Sequence, residues 1–311
     1  MRIKLLIILT LLSLNLQARD VVEDTGICQI NWTQGTITCS GESAEGQARF
    51  AAKISAKVLA QRNLLEVVKG VRIDSEMTIV DGMLSSEVVS SRVSGMVRGA
   101  QLISNRYNSS LKNAVAIVRL QMGKDLLSAL LSDPTKLSWN EKVEQLWNSF
   151  SIVATANASI YSSKDKATIE KILTDFRKNG EVKSSQYLEK ILHDINVVKY
   201  SGILIDVSNI ADFQKAMMVK LVDEQGAEVY PLDLVSRATL LKRNTSVGYI
   251  YGVEDARKNK RVFSKPIEFK AQNVYKNRKS NIVLSNEQIA SIKSLDQDIL
   301  HRAKVILVLG E

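Results

Sequence analysis

Few side chains in this chain have types and spacings that could do chemistry. Asp206 ends the apolar run Gly202-Ile203-Leu204-Ile205, and Asp223 and Glu224 precede the turn residues Gln225-Gly226. Carboxylates drawn together from a strand end and a turn could share acid and base work. Acids at such places are also common for structural reasons, because Asp before a glycine turn bonds its own backbone. Asp223-Glu224-Gln225-Gly226 therefore reads as hairpin-turn chemistry, and no catalytic, cofactor-binding or metal-ligating residue is assigned. His193 and His301 lack neighbours at metal-ligand spacing, and His193 reads as a helix-surface residue. No G-x-S-x-G, P-loop or zinc pattern occurs, and no cofactor is expected.

The two cysteines, Cys28 and Cys39, flank a hairpin pattern. Ile30 and Trp32 alternate before the turn Thr33-Gln34-Gly35, and Ile37 and Cys39 alternate after it. A turn centred between Thr33 and Gln34 sets the cysteines opposite each other, where a non-hydrogen-bonded pair can reach disulfide geometry. The pattern predicts a Cys28–Cys39 bond. Redox catalysis would need a close C-x-x-C pair, which the chain lacks.

Export supplies the compartment for that bond. Arg2 and Lys4 open the chain, and residues 5–14 form an apolar run too short for a span of ~20 residues. Residues 1–18 read as a signal peptide cleaved after Leu16-Gln17-Ala18, which places the protein in the periplasm, peripheral to the outer membrane at most. The formal net charge of +9 becomes +7 without Arg2 and Lys4. A basic surface of this kind favours acidic partners such as anionic headgroups or cell-wall polymers. Nucleic acid is not expected, because few aromatics accompany the basic runs. The densest run, with Arg257, Lys258, Lys260 and Arg261, is a candidate interaction surface; 276–279 is a second basic run. Trp139, Trp147 and Phe150, on one stripe of an expected helix over 138–150, form another candidate, although such a stripe is more commonly core.

The elements that must carry these residues follow from periodicity. Ala48, Ala52, Ala56 and Ala60 recur every four residues, so they line one face of a long helix and let a sheet approach closely. Ser43 is the expected N-cap, and Gly70 the expected left-handed end. Residues 71–80 read as extended and 84–97 as a second helix. Residues 101–107 and 113–122 read as a final antiparallel pair whose second strand is central. A short helix over 123–131, the helix over 138–150, and others over 165–178 and 185–195 make a helical connector. Strands at 202–207, 216–222, 228–230, 247–251, 267–271 and 281–284 follow, with a capping box at Ser285 and a final strand over 301–309. The fold class is α+β: an N-terminal antiparallel sheet packed by a long Ala-rich helix, a helical connector, and a C-terminal mixed α+β domain. The expected boundaries are 1–18, 24–122, 123–198 and 199–311.

The stretch Ile30 to Thr38, the alanine helix, Arg62-Asn63-Leu64-Leu65-Glu66, Gly70-Val71 and Val97-Arg98-Gly99-Ala100 carry a resemblance. Over roughly residues 26–122 the chain resembles the exported bacterial family of the flagellar assembly protein T (FlgT) N-terminal domain and FlgP-like outer-membrane lipoproteins. It departs from them in its cysteine pair and in lacking a lipoprotein cysteine. Tyr200-Ser201-Gly202, Leu204-Ile205-Asp206, Glu228-Val229-Tyr230 and Val283-Leu284-Ser285-Asn286 are similar to the C-terminal half of uncharacterised exported proteins of the same family. The resemblance implies a non-enzymatic envelope protein, tied to flagellar basal-body rings through other motor proteins or self-assembly. Two rival readings stand beside it. One is a cell-wall (peptidoglycan) or outer-membrane binding module using the basic runs, and the other an enzyme using strand-end carboxylates.

Overall fold

A computed structural model describes residues 19–130, 163–179, 186, 200–231 and 234–310. The chain is α+β. Its N-terminal sheet contains β1 (Val22–Asp24), β2 (Cys28–Asn31), β3 (Thr36–Glu42), β4 (Gln101–Asn108) and β5 (Asn113–Gln121), antiparallel in the order β1-β2-β3-β5-β4. Between β3 and β4 run α1 (Arg49–Gly70), α2 (Ile79–Ser85) and α3 (Glu87–Arg98). As the alternation predicts, β5 lies inside the sheet, between β3 and β4, and sends Ala114, Ala116, Val118 and Leu120 inward.

Helix α1 lies on this sheet through Ala52, Ala56, Ala60, Leu64 and Val68, all fully buried. Methyl-sized side chains let the helix backbone come down onto β3. At Gly41 an added Cβ would sit 2.1 Å from the Ala60 nitrogen. The helix begins later than the alanine spacing predicts. Ala48 is its N-cap and is exposed, while Ser43 is buried inside a loop that precedes the helix. The Ser43 hydroxyl accepts from the Ala114 amide at 2.9 Å, and Gly46 turns the chain at φ +75. Tertiary bonding thus outcompetes Ser43 as a helix cap.

The other end also differs. Gly70 is the last helical residue with a negative φ, and the chain leaves through Val71 at φ −65. Residues 71–80 do not form a continuous strand. The Asp74 carboxylate accepts from the Glu76 and Met77 amides, which folds the segment back so that only Arg72 and Thr78 pair. The second helical region splits at Ser86 into α2 and α3, and Val89, Val93 and Val97 face inward. Leu84 and Val88 of the expected stripe are exposed. Gly95 has open space where a Cβ would go. Gly95→Ala is expected to stabilise the protein by about 0.5–1 kcal/mol through the unfolded chain and helix propensity. Urea titration would check it, and a loss of stability would contradict it.

Cys28 and Cys39 lie opposite each other in β2 and β3, with Cα atoms 4.1 Å apart, and they are bonded. The hairpin turn runs through Thr33-Gln34-Gly35, where Gly35 has φ +65. Reduction, or replacement of both cysteines by alanine, is expected to remove about 2–3 kcal/mol on the chain-entropy account. Parallel denaturant titrations with and without reductant would show it; coincident curves would exclude it.

After β5 a π-helical turn (Met122–Leu127) passes into one α-turn (Ser128–Leu130). The expected helix over 138–150, with Trp139, Trp147 and Phe150, and the leader 1–18 lie outside the described residues, as does the expected helix over 185–195 apart from Gln186, which is helical. The expected helix over 165–178 is α4 (Ser163–Lys178).

The C-terminal half contains two sheets. The first joins β6 (Ile203–Asp206), β9 (Gly248–Tyr251), β10 (Ile267–Lys270) and β13 (Val305–Leu309), all parallel in the order β10-β6-β13-β9. The second joins β7 (Lys220–Val222), β8 (Glu228–Tyr230), β11 (Asn273–Tyr275) and β12 (Arg278–Val283) in the order β11-β12-β7-β8. Four helices accompany them: α5 (Arg237–Arg243), α6 (Val253–Lys258), α7 (Asn286–Lys293) and α8 (Gln297–His301). The capping box at Ser285 is present, its hydroxyl accepting from Gln288 N and the Gln288 side chain accepting from Ser285 N. Two expectations shorten. Only Lys220–Val222 of 216–222 pairs as a strand, and 301–304 belongs to the end of α8 and its turn. Helices α5 and α8 and strand β11 are additions that periodicity does not announce, because each is seven residues or fewer.

Candidate interaction surface

The two halves are not separate bodies. One continuous apolar core holds residues of both, from Ile37, Ala56 and Val118 to Met217, Tyr249 and Leu307. Backbone bonds cross the seam. The amides of Met217 and Met218 donate to the Arg72 and Ile73 carbonyls at 3.0 and 2.8 Å. The expected strand over 216–222 is therefore partly consumed by the other half. Trp32 meets Tyr249 edge to face, ring centroids 5.6 Å apart. Tyr249 in turn donates its hydroxyl to Ala216 O at 2.6 Å and accepts from Ala216 N. Burial pushes the Tyr249 phenol well above its ordinary pKa, so it stays a neutral donor.

The N-terminal hairpin turn is a second tie. Thr33 Oγ1 donates to the Tyr249 carbonyl at 2.9 Å. Asn244, in left-handed conformation at the end of α5, donates its amide to Gln34 O and accepts from Gly123 N, each at 3.1 Å. Both glycines there are demanded by close approach. A Cβ on Gly35 would fall 2.3 Å from Asn244 Cβ, and one on Gly123 2.4 Å from Leu241 O. Ion pairs Lys215–Glu23, at 2.8 Å, and Arg278–Glu76 close the rim.

A crevice of ≈ 250 Å³ opens in this seam between Trp32, Arg72, Phe213 and Lys215. Small-molecule sites run from about 300 to 1,000 Å³, so the crevice is undersized for one. The Trp32 indole N–H is buried without a hydrogen-bond partner; nothing in the fold accounts for it.

The acids named from sequence do local work. Asp206 Oδ1 accepts from Ser208 N, and Asp223 Oδ1 accepts from Gln225 N and Ala227 N. Asp206 ends a strand of the parallel sheet, whereas Asp223 and Glu224 follow β7 in the other sheet. His301 sits half-buried at the end of α8, where burial lowers its pKa. His193 lies outside the described residues. Among the described residues no three or more His, Cys, Asp or Glu side chains are grouped to hold a metal.

The basic run 257–261 divides. Arg257 is held by Glu268 and Glu254, and Lys258 and Lys260 are exposed. Arg261 corrects the expectation of a surface role, for it is only 8% exposed. Its Nε donates to Ala303 O at 2.6 Å, and one terminal nitrogen donates to Thr245 O and Ser246 O at 3.0 and 2.9 Å. Arg261 and Val262 both turn inward between exposed Lys260 and Phe263, and the guanidinium ends among carbonyls that precede β9 and β13. In the second run, Arg278 is spent on Glu76, and Lys276 lies over the Tyr275 ring.

The surface most unlike a solvated one was not anticipated from sequence. Phe50, Ile54 and Val58 form a ridge on the outside of α1, with Phe50 79% exposed. They are spaced four apart and offset by two from the buried alanine row, which is the signal that marks them. The edge strand β4 runs beside α1, tied to it by Asn105 Nδ2 donating to Lys53 O, and Gln61 Nε2 of α1 donates to Arg98 O at the end of α3 just before that strand. It adds exposed Leu102 and Ile103 and an unpaired strand edge. Among the described residues no helix is long and apolar enough to cross a membrane.

Residues 202–311 match the family model of Treponema pallidum Tp0624, second domain. The matched segment holds both C-terminal sheets from β6 to β13, including the crossing residues Met217, Met218, Asn244 and Tyr249. A comparison with curated proteins gives no match.

Proposed function

We propose that the protein is a non-enzymatic structural component of the bacterial cell envelope, exported to the periplasm, that works by protein–protein contact within a flagellar basal-body ring. The observation that carries the contact role is the apolar ridge Phe50-Ile54-Val58 beside the open edge of β4. A helix face and strand edge of this kind offer a neighbour both apolar area and backbone hydrogen bonds. The seam supports the reading, because a core shared by both halves transmits load without a hinge. The Cys28–Cys39 bond fits an oxidising compartment. The flagellar setting rests on the resemblance of the N-terminal half to the FlgT and FlgP-like family.

Deletion of the gene, with motility measured and the motor imaged, tests the setting. Loss of swimming with a missing or incomplete ring is expected. Normal swimming with intact rings would sink the flagellar reading. Ile54→Glu tests the ridge within it: the exposed position should leave the fold intact and abolish incorporation, whereas normal incorporation would remove the ridge as the contact.

A further inference from the structure

We propose that the loop between α6 and β10 docks on an anionic lipid surface, with Phe263 entering the headgroup layer and Lys258, Lys260 and Lys265 pairing with lipid phosphates. This goes beyond the ring contact and uses a different face of the molecule.

The loop is a rigid stalk with one apolar tip. Arg261 and Val262 are buried at its base. The Arg261 amide donates to Asn259 Oδ1 at 2.8 Å, and the Val262 amide to Asn259 O at 3.1 Å. Ser201 clamps the far side, its hydroxyl donating to Val262 O at 2.5 Å and accepting from Lys265 N at 2.8 Å. Between these anchors Phe263 is 65% exposed. Ser264 follows it at φ +98, a region that non-glycine residues seldom adopt. A strained backbone beside an outward aromatic ring means that the surrounding bonds hold the ring in water.

The charge around this tip is one-sided. Of the six basic side chains in residues 257–270, Arg261 is buried and Arg257 is paired with Glu254 and Glu268, which leaves Lys258, Lys260, Lys265 and Lys270 against no other acid in that stretch. Lys258, Lys260 and Lys265 are exposed and have no ion pair among the described residues.

Area decides between lipid and protein as the occupant. A stable protein interface needs about 800 Å² from each partner, and one Phe supplies about 150–250 Å². A membrane asks for less, because an apolar wedge and several lysines add independently at its surface.

The test is co-sedimentation of the full chain with phosphatidylcholine vesicles, with and without phosphatidylglycerol. Binding is expected only with phosphatidylglycerol and should weaken as salt rises. Each Lys→Gln change should weaken it about fivefold and the triple change about a hundredfold. Phe263→Ala should weaken it about tenfold. All these positions are exposed, so the variants should melt like the parent, and the melt is run alongside. Equal binding to both vesicle types would overturn the proposal, as would affinity unchanged in the Phe263 and triple-lysine variants. Retention on purified cell wall or on another envelope protein, with no vesicle binding, would overturn it too. None of these outcomes bears on motility or ring integrity, so this test and that of the flagellar reading fail separately.

Discussion

Replacing Arg261 by methionine is expected to lower the free energy of unfolding by about 3–5 kcal/mol. The guanidinium bonds the carbonyls of Ala303, Thr245 and Ser246, which precede two strands of the parallel sheet. Methionine fills similar volume but leaves the buried Ala303 and Thr245 carbonyls unpaired, each costing about 1–3 kcal/mol, while Ser246 O keeps the Tyr230 hydroxyl. Part of this is returned, because the buried cation itself carries a desolvation cost. Burial pulls its pKa down to about 10, so it is still charged at neutral pH. The folded value lies below the unfolded one, so this cost is fully present at neutral pH and shrinks above about pH 10. Lysine has the charge without the fork and should recover only part of the loss. Urea titrations of the parent, Arg261→Lys and Arg261→Met would rank them in that order. A methionine variant within about 1 kcal/mol of the parent would contradict the account.

Gly41→Ala is expected to cost about 3 kcal/mol, a large effect for one added methyl group. The new Cβ would lie 2.1 Å from Ala60 N and 2.5 Å from Ala56 O. Both are helix backbone atoms and have no rotamer to escape into. Either β3 or α1 must move, and the whole alanine row moves with it. The melting temperature should fall by about 6–12 °C, at about 2–4 °C per kcal/mol for a chain of this size. The same change at Gly95 meets nothing within 4 Å, and it serves as the internal control. A Gly41→Ala protein that melts with the parent would show that the sheet and helix have slack the close approach denies.

Much of the fold was legible because its signals are local. The hairpin with Cys28 and Cys39 follows from period-two alternation around one turn, and the pairing is as expected. The strands at 203–206 and 248–251 are short apolar runs with turn signals on both sides. The capping box at Ser285 is a four-residue pattern. Two of the failures are local, the Asp74 turn that breaks 71–80 and the Ser86 cap that splits the next helix; the others come from competition by residues distant in sequence. Ser43 resembles a helix cap until Ala114 takes its hydroxyl. Residues 216–219 resemble plain strand until Arg72 and Ile73 take the amides of Met217 and Met218. Asn244 and Gln34 bond across 210 positions, and neither has a neighbourhood that announces it. Arg261 stands in a run of cations, and composition treats all of them as surface.

The candidate contact surface was legible in principle. The apolar positions 50, 54 and 58 share the alanine row's period on the opposite side of α1. Both rows satisfy the same period, so periodicity alone does not tell which of them faces the core. Phe263 gives no periodic signal, since its exposure is set by Ser201, Asn259 and the backbone at Ser264.

The amides of Met217 and Met218 bear on how such a chain can be inherited. They lie inside the segment that matches the second domain of Tp0624, yet the carbonyls that satisfy them belong to the half before it. A gene fragment encoding the matched segment alone would arrive with these donors, and the apolar side chains beside them in the shared core, open to water. Recombination could therefore transplant this module only beside a neighbour offering two successive carbonyls at the same place. The seam makes the pair of halves, rather than either one, the portable unit.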